Sequence, residues 1–284
     1  MKLCRYDDDR VGIVDGCRVI DASGVLASLP SLRWPAPHGD HLVAHLGKFM
    51  AASEELEKAP GKSLTDVKLL SPVANPSKII GAPVNYAKHL DESRADRGIH
   101  FDRDIKSIDC YGLFLKASSS MVGPSEGIAL RFTDRRNDHE IELVAVIGKT
   151  ADRVRREDAL DHVAGYTVGL DMTVRGTEAR SFRKSIDTYT VIGPWLVTAD
   201  EIRDPGSLEL ELSVNGETRQ RSNTRYLVYD VPRLIEYASS FYTLYPGDLI
   251  MTGTPEGVGP VQAGDRIVAA IEHIGSMTVD VRDT

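Results

Sequence analysis

The sequence predicts an α+β fold built on a rolled or sandwiched mixed β-sheet, preceded by a small α/β unit. Across the 284 residues, strand-like segments greatly outnumber helical ones, and the two kinds do not alternate along the chain. A doubly wound parallel sheet is therefore disfavoured. A connector with two prolines, residues 71–77, follows the small unit, and the chain length suits one large domain with such an appendage. We place the domains at residues 1–71 and 72–284.

The small unit contains short strands followed by one helix. Strands are predicted at residues 2–6, 11–14 and 18–20. A helix is predicted over residues 41–56, where apolar side chains recur at helical spacing. Pro72 and Pro76 favour an extended connector, because the residue before a proline is biased away from helical backbone angles.

The large unit consists mainly of strands. They are predicted at residues 79–82, 112–116, 128–132, 140–147, 164–170, 195–198, 208–214, 248–252, 266–271 and 277–281. The clearest helices are residues 156–162 and 231–241, the second with Pro232 in its first turn. Segment 140–147 becomes an unbroken apolar run after its two glutamates, which predicts a strand buried on both faces.

Composition and charge exclude several classes of function. The net charge is −8, and the densest basic run, residues 153–156, is followed at once by two acidic residues, so nucleic acid is not an expected partner. Three cysteines without Cys-x-x-Cys spacing argue against a disulfide framework and a thiolate zinc site. Neither a signal peptide nor a membrane span is predicted. We expect a soluble, cytoplasmic protein.

The most informative segment attaches two carboxylates to a buried strand. Glu140 and Glu142 alternate along the predicted strand, so their side chains share a face. A second predicted strand ends at Asp171. Buried carboxylates repel one another unless a cation neutralises them, and three oxygen donors suit Mg²⁺, Mn²⁺ or Ca²⁺ rather than zinc. The alternative is that the glutamates line a solvated sheet edge and Asp171 caps a turn.

Further motifs stand in a fixed order around this segment. They are Asn85-Tyr86-Ala87-Lys88-His89-Leu90-Asp91-Glu92, Phe114-Leu115-Lys116, His139-Glu140-Ile141-Glu142, the run from Gly165 to Asp171, Lys184-Ser185-Ile186-Asp187-Thr188, and residues 247–259. Together they resemble the fumarylacetoacetate hydrolase family, over residues 72–284. The resemblance implies a mixed β-roll, usually dimeric, with a variable N-terminal domain. It also implies Mg²⁺ or Mn²⁺ held by the three carboxylates, and a small 2-oxo acid as substrate.

The resemblance also implies catalytic residues. His89 and Glu92 match a His-x-x-Glu pair that hydrolytic members carry on a lid, where the carboxylate orients the imidazole as a general base. Lys184 matches a lysine that reaches the substrate, and Arg175 matches an arginine near the metal. Residues 92–109 are rich in charge and short of apolar anchors, which is typical of a lid that becomes ordered on binding.

Other substrate contacts are predicted from the same motifs. They are Tyr86, Lys116, Gly253 and Thr254. The backbone N–H groups of the turn at residues 252–255 are suited to binding a carboxylate. Plainer alternatives remain open: a mobile surface loop for His89, a solvated turn for Lys184, a surface ion pair for Arg175, and a simple glycine turn at residues 252–255.

The sequence departs from the family pattern in four places. Ala117 replaces a frequent proline, and Glu178 stands where many members carry glutamine, which adds negative charge near an anionic substrate. The loop between Asp171 and Lys184 is shorter than usual, and residues 81–85 form an unusual strand end. These departures bear on the identity of the substrate more than on the metal site.

Three functions are compatible with these residues. The first is hydrolysis of a carbon–carbon bond in a 2,4-dioxo acid of the acylpyruvate type. The second is decarboxylation or enol–keto isomerisation of a 2-oxo diacid such as oxaloacetate, which needs the metal but no attacking water. The third is a non-catalytic protein that binds a small molecule through the metal.

Overall fold

The computed structural model describes the backbone of residues 1–284 and every side chain except those of Glu57 and Lys58. Its β-strands are β1 (Lys2–Tyr6), β2 (Arg10–Asp15), β3 (Arg18–Asp21), β4 (Gly61–Ser63), β5 (Leu69–Leu70), β6 (Ile79–Gly81), β7 (Phe114–Lys116), β8 (Met121–Val122), β9 (Ile128–Leu130), β10 (Asn137–His139), β11 (Ile141–Ile147), β12 (Val163–Asp171), β13 (Thr173–Val174), β14 (Thr190–Thr198), β15 (Glu209–Val214), β16 (Glu217–Asn223), β17 (Leu249–Met251), β18 (Gly259–Pro260), β19 (Arg266–Ile271) and β20 (Gly275–Asp283). Its α-helices are α1 (His41–Ala44), α2 (Leu46–Ser53), α3 (Ala87–Ala95), α4 (Arg97–His100), α5 (Ile108–Tyr111), α6 (Arg180–Lys184) and α7 (Val231–Phe241). The predicted α+β class is confirmed.

Strand β11 lies inside the largest sheet, whose order is β4-β3-β2-β1-β14-β12-β11-β17-β6-β7. It pairs antiparallel with β12 on one side and β17 on the other. Leu143 and Ala145 belong to the apolar cluster that contains Leu234 of α7, whereas Val144 belongs to a cluster with Phe49 of α2. Every residue of β11 is buried, so the predicted burial of this strand on both faces is confirmed.

A second sheet, β16-β15-β19-β20-β9, packs on the large one, and a short sheet, β13-β10-β18, lies beside them. Leu212 and Ile267 from the second sheet share an apolar cluster with Val168 of β12. The chain passes from the short sheet into the large one at Glu140, which separates β10 from β11. This crossing point brings all three sheets together near the predicted metal ligands.

The N-terminal residues extend the large sheet. Leu3 of β1 pairs with Leu196 of β14. The buried carboxylate of Asp40 caps α1 by accepting from the Val43 N–H at 3.0 Å, and it also accepts from the Ala74 N–H at 2.9 Å. The connector is therefore tied to the N-terminal helix, and β-strand pairing crosses the proposed division. The boundary at residues 71 and 72 remains a prediction.

Helix α7 has the predicted bounds, but two other helices differ. The Asp230 side chain caps α7 by accepting from the Arg233 N–H at 2.9 Å. The predicted helix over residues 41–56 is interrupted at His45, which separates α1 from α2. Residues 156–162 form a 3₁₀-helix rather than an α-helix. In the described part of the chain, no helix combines the length and apolarity needed to cross a membrane.

The predicted lid is folded over the large sheet as α3, α4 and α5. Ile99, Ile105 and Ile108 are buried, so the expectation that this segment lacks apolar anchors is wrong. Isolated isoleucines within a charged stretch gave no periodic signal. Arg103 ties the segment to the loop after β13 by donating to the Gly176 carbonyl at 2.9 Å. Ordering of the lid on binding remains a prediction.

Candidate active site

The three predicted metal ligands meet where β10, β11 and β12 converge. Glu142 lies on β11, Asp171 ends β12, and the Asp171 N–H donates to the Glu140 carbonyl at 2.9 Å. The alternation pattern predicted that Glu140 lies on the strand, but it lies in the junction before β11. Each of the three residues nevertheless offers a carboxylate oxygen within 4.8 Å of the others, and all three are buried. A solvated sheet edge is therefore excluded.

Basic side chains fix two of these carboxylates. The Lys184 ammonium donates to Glu140 Oε2 at 2.7 Å and to Asp171 Oδ2 at 2.6 Å. Arg175 donates from Nη2 to Glu140 Oε1 at 3.0 Å and from Nε to Asp138 Oδ2 at 2.7 Å. Arg175 is thus buried beside the ligands rather than in a surface ion pair, and Lys184 is likewise buried.

Glu142 differs from its two neighbours because no basic side chain among the described residues contacts it; its Oε2 accepts from the Gly253 N–H at 2.7 Å. Burial, together with the negative charges of Asp171 and Glu140, raises the pKa of Glu142 well above its usual range. The three carboxylates are hard oxygen donors, and Glu142 has no cationic partner among the described residues. Both features fit a divalent cation. The triad is therefore able to bind a divalent metal.

His89 and Glu92 form the predicted pair on α3. His89 Nδ1 lies 2.8 Å from Glu92 Oε2, and the other carboxylate oxygen of Glu92 accepts from the Gly257 N–H at 2.9 Å. Because an ionised carboxylate only accepts, the Nδ1 atom carries the proton and Nε2 is left as the basic nitrogen. His89 is buried and lines the same cavity as the three carboxylates. It does not lie on a mobile surface loop.

Thr254 lines the cavity, and a buried glutamine that sequence reasoning missed determines the direction of its hydrogen bond. The Ile141 N–H donates to Gln220 Oε1 at 3.1 Å, so the amide nitrogen of Gln220 faces Thr254 Oγ1, at 2.8 Å, and the Pro255 carbonyl. Thr254 Oγ1 therefore accepts from Gln220. Its own hydroxyl proton remains available to donate to a ligand in the cavity.

His139 completes this network behind the ligands. Its Nδ1 lies 3.1 Å from Gln220 Oε1, while its Nε2 is buried and has no hydrogen-bond partner among the described residues. Since Gln220 Oε1 is an acceptor, Nδ1 carries the proton. Burial lowers the pKa of His139, which favours the neutral ring. His139 thus holds Gln220 in its orientation.

Three predicted substrate contacts do not line the cavity. The Lys116 ammonium is buried behind Asp171, forms an ion pair with it, and donates to the Tyr189 carbonyl at 2.9 Å. Tyr86 is buried at the start of α3. The Gly253 N–H binds a carboxylate as predicted, but that carboxylate belongs to Glu142. Lys116 and Gly253 donate to groups of the protein itself, and Tyr86 is buried. The spacing of residues along the sequence does not reveal such contacts.

The whole cavity has a volume of about 320 Å³, and basic and aromatic side chains line another part of it. Arg103 comes from the lid, whereas Arg180 and Arg183 come from α6. The Arg180 guanidinium stacks 4.6 Å from the ring centroid of Tyr111 and 5.7 Å from that of Phe114. These residues were not predicted from the sequence, although three basic side chains close together in the α6 segment of an acidic protein were a usable signal.

Glu178 also lines the cavity but does not add an uncompensated charge there. Arg135 forms a bidentate ion pair with it, at 3.0 Å to Oε1 and 2.9 Å to Oε2. Arg135 also lowers the pKa of Glu178 through this hydrogen bond. The negative charge that Glu178 was expected to add near an anionic substrate is thus balanced by Arg135, 43 positions earlier in the chain.

Comparisons with known proteins agree with this site. The fumarylacetoacetate (FAA) hydrolase C-terminal family model matches residues 78–282. A maleylpyruvate hydrolase of Aquipseudomonas alcaligenes is 56% identical over 288 residues, covering 99% of this chain and 99% of the relative. A 2,4-didehydro-3-deoxy-L-rhamnonate hydrolase of a Sphingomonas species is 34% identical, covering 100% of this chain and 96% of the relative.

A solved structure gives the same result. The crystal structure of maleylpyruvate hydrolase from Sphingobium sp. SYK-6 in complex with manganese(II) ion and pyruvate is 41% identical, with a TM-score of 0.84 and coverage of 100% of this chain and 99% of the other. This chain belongs to the fumarylacetoacetate hydrolase family. The family resemblance predicted from its motifs is confirmed.

Proposed function

We propose that this protein is a divalent-metal-dependent hydrolase that cleaves a carbon–carbon bond in an acylpyruvate, with maleylpyruvate as the leading substrate. The observation that carries the proposal is one cavity lined both by the carboxylate triad and by the His89–Glu92 pair. The similarity to maleylpyruvate hydrolases over the whole chain supports the choice of substrate.

Glu140, Glu142 and Asp171 would hold Mn²⁺ or Mg²⁺, with Ca²⁺ also compatible with the oxygen donors. When bound, the cation supplies positive charge that binds the pyruvoyl end of the substrate and stabilises the negative charge that develops there during cleavage. The protein's own contribution is to hold the three carboxylates in place. Lys184 and Arg175 do so through the hydrogen bonds given above.

His89 acts as the general base in this proposal. Its Nε2 removes a proton from a water molecule, and the water oxygen adds to the 4-carbonyl carbon of the substrate. Glu92 keeps the ring in the required tautomer and is itself fixed by the Gly257 N–H. Cleavage of the bond between carbons 3 and 4 then releases maleate and the enolate of pyruvate. The proton that His89 took from the water is transferred to carbon 3 and completes the pyruvate.

Two further residues bind the charged parts of the substrate. The hydroxyl of Thr254, whose oxygen is occupied by Gln220, donates to the pyruvoyl carboxylate. The Lys184 ammonium binds the Glu140 and Asp171 carboxylates with two of its N–H groups, and the third makes only a long contact of 3.5 Å with the Asp171 carbonyl; this third N–H turns to the substrate and stabilises the oxyanion formed at carbon 4. Both residues line the cavity.

The His89–Glu92 pair, whose imidazole is buried, favours hydrolysis over the other candidate reactions. Decarboxylation and enol–keto isomerisation of a 2-oxo diacid need no base aimed at a water molecule. A purely binding protein would not need an oriented imidazole at all. The pair is therefore the feature that separates the three functions.

A substrate panel tests the proposal. Purified protein with Mn²⁺ is incubated with maleylpyruvate, acetylpyruvate and oxaloacetate, while pyruvate, organic acid and CO₂ are measured separately. We expect equal amounts of pyruvate and maleate from maleylpyruvate, without CO₂ and with complete loss of activity in EDTA. CO₂ release from oxaloacetate as the main activity would contradict the proposal.

We also propose that the protein is a cytoplasmic homodimer. The family resemblance implies the dimer, and strongly exposed aromatic side chains such as Phe182 and Phe241 support an apolar interface. Cys17 and Cys110 are exposed free thiols, which suit a reducing compartment. Light scattering coupled to gel filtration tests the assembly: a mass equal to one chain at micromolar concentration would contradict it.

A further inference from the structure

The cavity carries opposite charges at its two ends. The carboxylates Glu140, Glu142 and Asp171 lie at the inner end, whereas Arg103, Arg180 and Arg183 line the outer part. The ring of Phe114 is near a cation of each end: the Lys184 ammonium is 5.6 Å from its centroid, and the Arg180 guanidinium is 5.7 Å from it. These two cationic groups are therefore at most about 11 Å apart, within reach of the two ends of one small molecule.

Aromatic faces, not acidic side chains, position Arg180. Its guanidinium lies 4.6 Å from the Tyr111 centroid and makes no ion pair or hydrogen bond with the described residues. Stacking holds the plane of a guanidinium while leaving the N–H groups at its edge free to donate. An oriented arginine with unused donors in a cavity is suited to binding a carboxylate bidentately.

The neighbouring arginines are also short of anionic partners. Among the described residues, Arg183 donates only to the carbonyls of Glu178 and Val174, and Arg103 donates only to backbone carbonyls. Burial and the positive charges of Arg175, Arg180 and Arg103 lower the pKa of Arg183 to about 10. The arginines therefore repel one another, and an anion among them relieves that repulsion.

The acidic side chains at this end are already occupied. Glu178 is held by Arg135, and Asp104 forms an ion pair with Lys106. Within the described residues, neither contacts Arg180. The outer part of the cavity thus has an excess of positive charge that the protein itself does not neutralise.

We propose that Arg180, assisted by Arg103 and Arg183, binds a second carboxylate at the acyl end of the substrate, so that the enzyme selects dianionic acylpyruvates over monoanionic ones. This inference rests on the proposed function for the identity of the inner, pyruvoyl end. In maleylpyruvate the second carboxylate belongs to the maleyl group. Arg180 is then the residue that determines specificity.

Two substrates and two substitutions test this inference. Arg180→Met keeps an unbranched chain against Tyr111 but removes the charge, and Arg97→Met, which removes a highly exposed arginine of the lid, is the control. We expect Arg180→Met to lower kcat/KM for maleylpyruvate about 10- to 100-fold, the range for a lost hydrogen bond to a charged group. For the monoanion acetylpyruvate the change should stay below about 3-fold, within the spread of weak surface effects. Arg97→Met should change neither.

Equal losses for both substrates, or no loss for either, would overturn the inference. Binding of maleate to the Mn²⁺-loaded protein, measured by calorimetry, gives a readout that does not depend on turnover. We expect Arg180→Met to weaken this binding at least tenfold, and unchanged affinity would also overturn the inference. Weaker maleate binding in a protein that cleaves no acylpyruvate would refute the proposed function while leaving the anion site in place.

Discussion

The two ends of the cavity are held in place in different ways. At the inner end, Glu142 and Asp171 lie on strands of the large sheet, and buried donors fix all three carboxylates of the triad. At the outer end, Arg103 and Arg180 project from a lid and from a short helix, and they bind backbone carbonyls or aromatic faces. In the proposed function, the sheet thus carries the chemistry, while the lid and α6 would determine which acyl group fits.

The largest effect is expected from the inner end. Glu142→Gln removes a metal ligand without changing the shape of the side chain, so kcat/KM should fall at least about 1,000-fold, as expected when metal catalysis is lost. Mn²⁺ binding, measured by calorimetry, should weaken in parallel. Glu217→Gln, on an exposed strand position, is the control and should bind Mn²⁺ normally. Normal turnover of Glu142→Gln after metal depletion would remove the metal from the mechanism.

The general base should give the next largest effect. His89→Ala should lower kcat about 100- to 10,000-fold, the range for loss of a positioned base, with little change in KM. Glu92→Gln should have a smaller effect, since it alters only the orientation and tautomer of the ring. Rates of maleylpyruvate cleavage at saturating substrate provide the measurement. If His89→Ala retained wild-type turnover, the water-activation step assigned to this residue would be wrong.

Substitution of Lys116 tests whether the buried ion pairs at the inner end of the cavity stabilise the fold. Lys116→Met leaves Asp171 without one of its buried partners, so the free energy of unfolding should fall by about 3–5 kcal/mol. Arg131→Met breaks an exposed pair with Asp187 and should cost no more than about 1 kcal/mol. Urea denaturation of the metal-free proteins measures both. Equal costs would mean that burial adds nothing to the Lys116 pair.

The smallest effect concerns how Gln220 directs the Thr254 hydroxyl. Gln220→Leu and Thr254→Val should each raise the inhibition constant of pyruvate about tenfold, the effect of one lost hydrogen bond, with little change in kcat. The double variant should be no weaker than either single one, because both remove the same interaction. Thr254→Ser, which keeps the hydroxyl, should restore binding. Additive losses would show that the two residues act separately.

The sequence predicted the elements whose signals are local. The apolar run after Glu142 predicted β11, and helical spacing with Pro232 predicted α7 with the observed bounds. The three proposed metal ligands were predicted from two strands that pair in the sheet, and their carboxylates do lie together, although Glu140 precedes β11 instead of lying on it. Such patterns are set by neighbouring residues, so a single sequence contains them.

Contacts between distant segments could not be predicted in this way. Gln220 reaches the Ile141 N–H from another sheet, 79 residues away, and Lys116 reaches Asp171 across 55 residues. The stacking of Arg180 on Tyr111 exists only because the lid folds back over α6. Residue spacing gives no information on these partners, which is why neither the ion pair of Lys116 nor the place of Arg180 in the cavity was predicted.

Isotope labelling tests the central claim most directly. Maleylpyruvate is converted by the Mn²⁺-loaded protein in H₂¹⁸O, and the maleate released is analysed by mass spectrometry. If water attacks the 4-carbonyl carbon, each maleate molecule should contain one ¹⁸O atom, and pyruvate should form in equal amount. Substrate consumption that gives neither labelled maleate nor pyruvate would contradict hydrolysis and indicate decarboxylation or isomerisation at the same site.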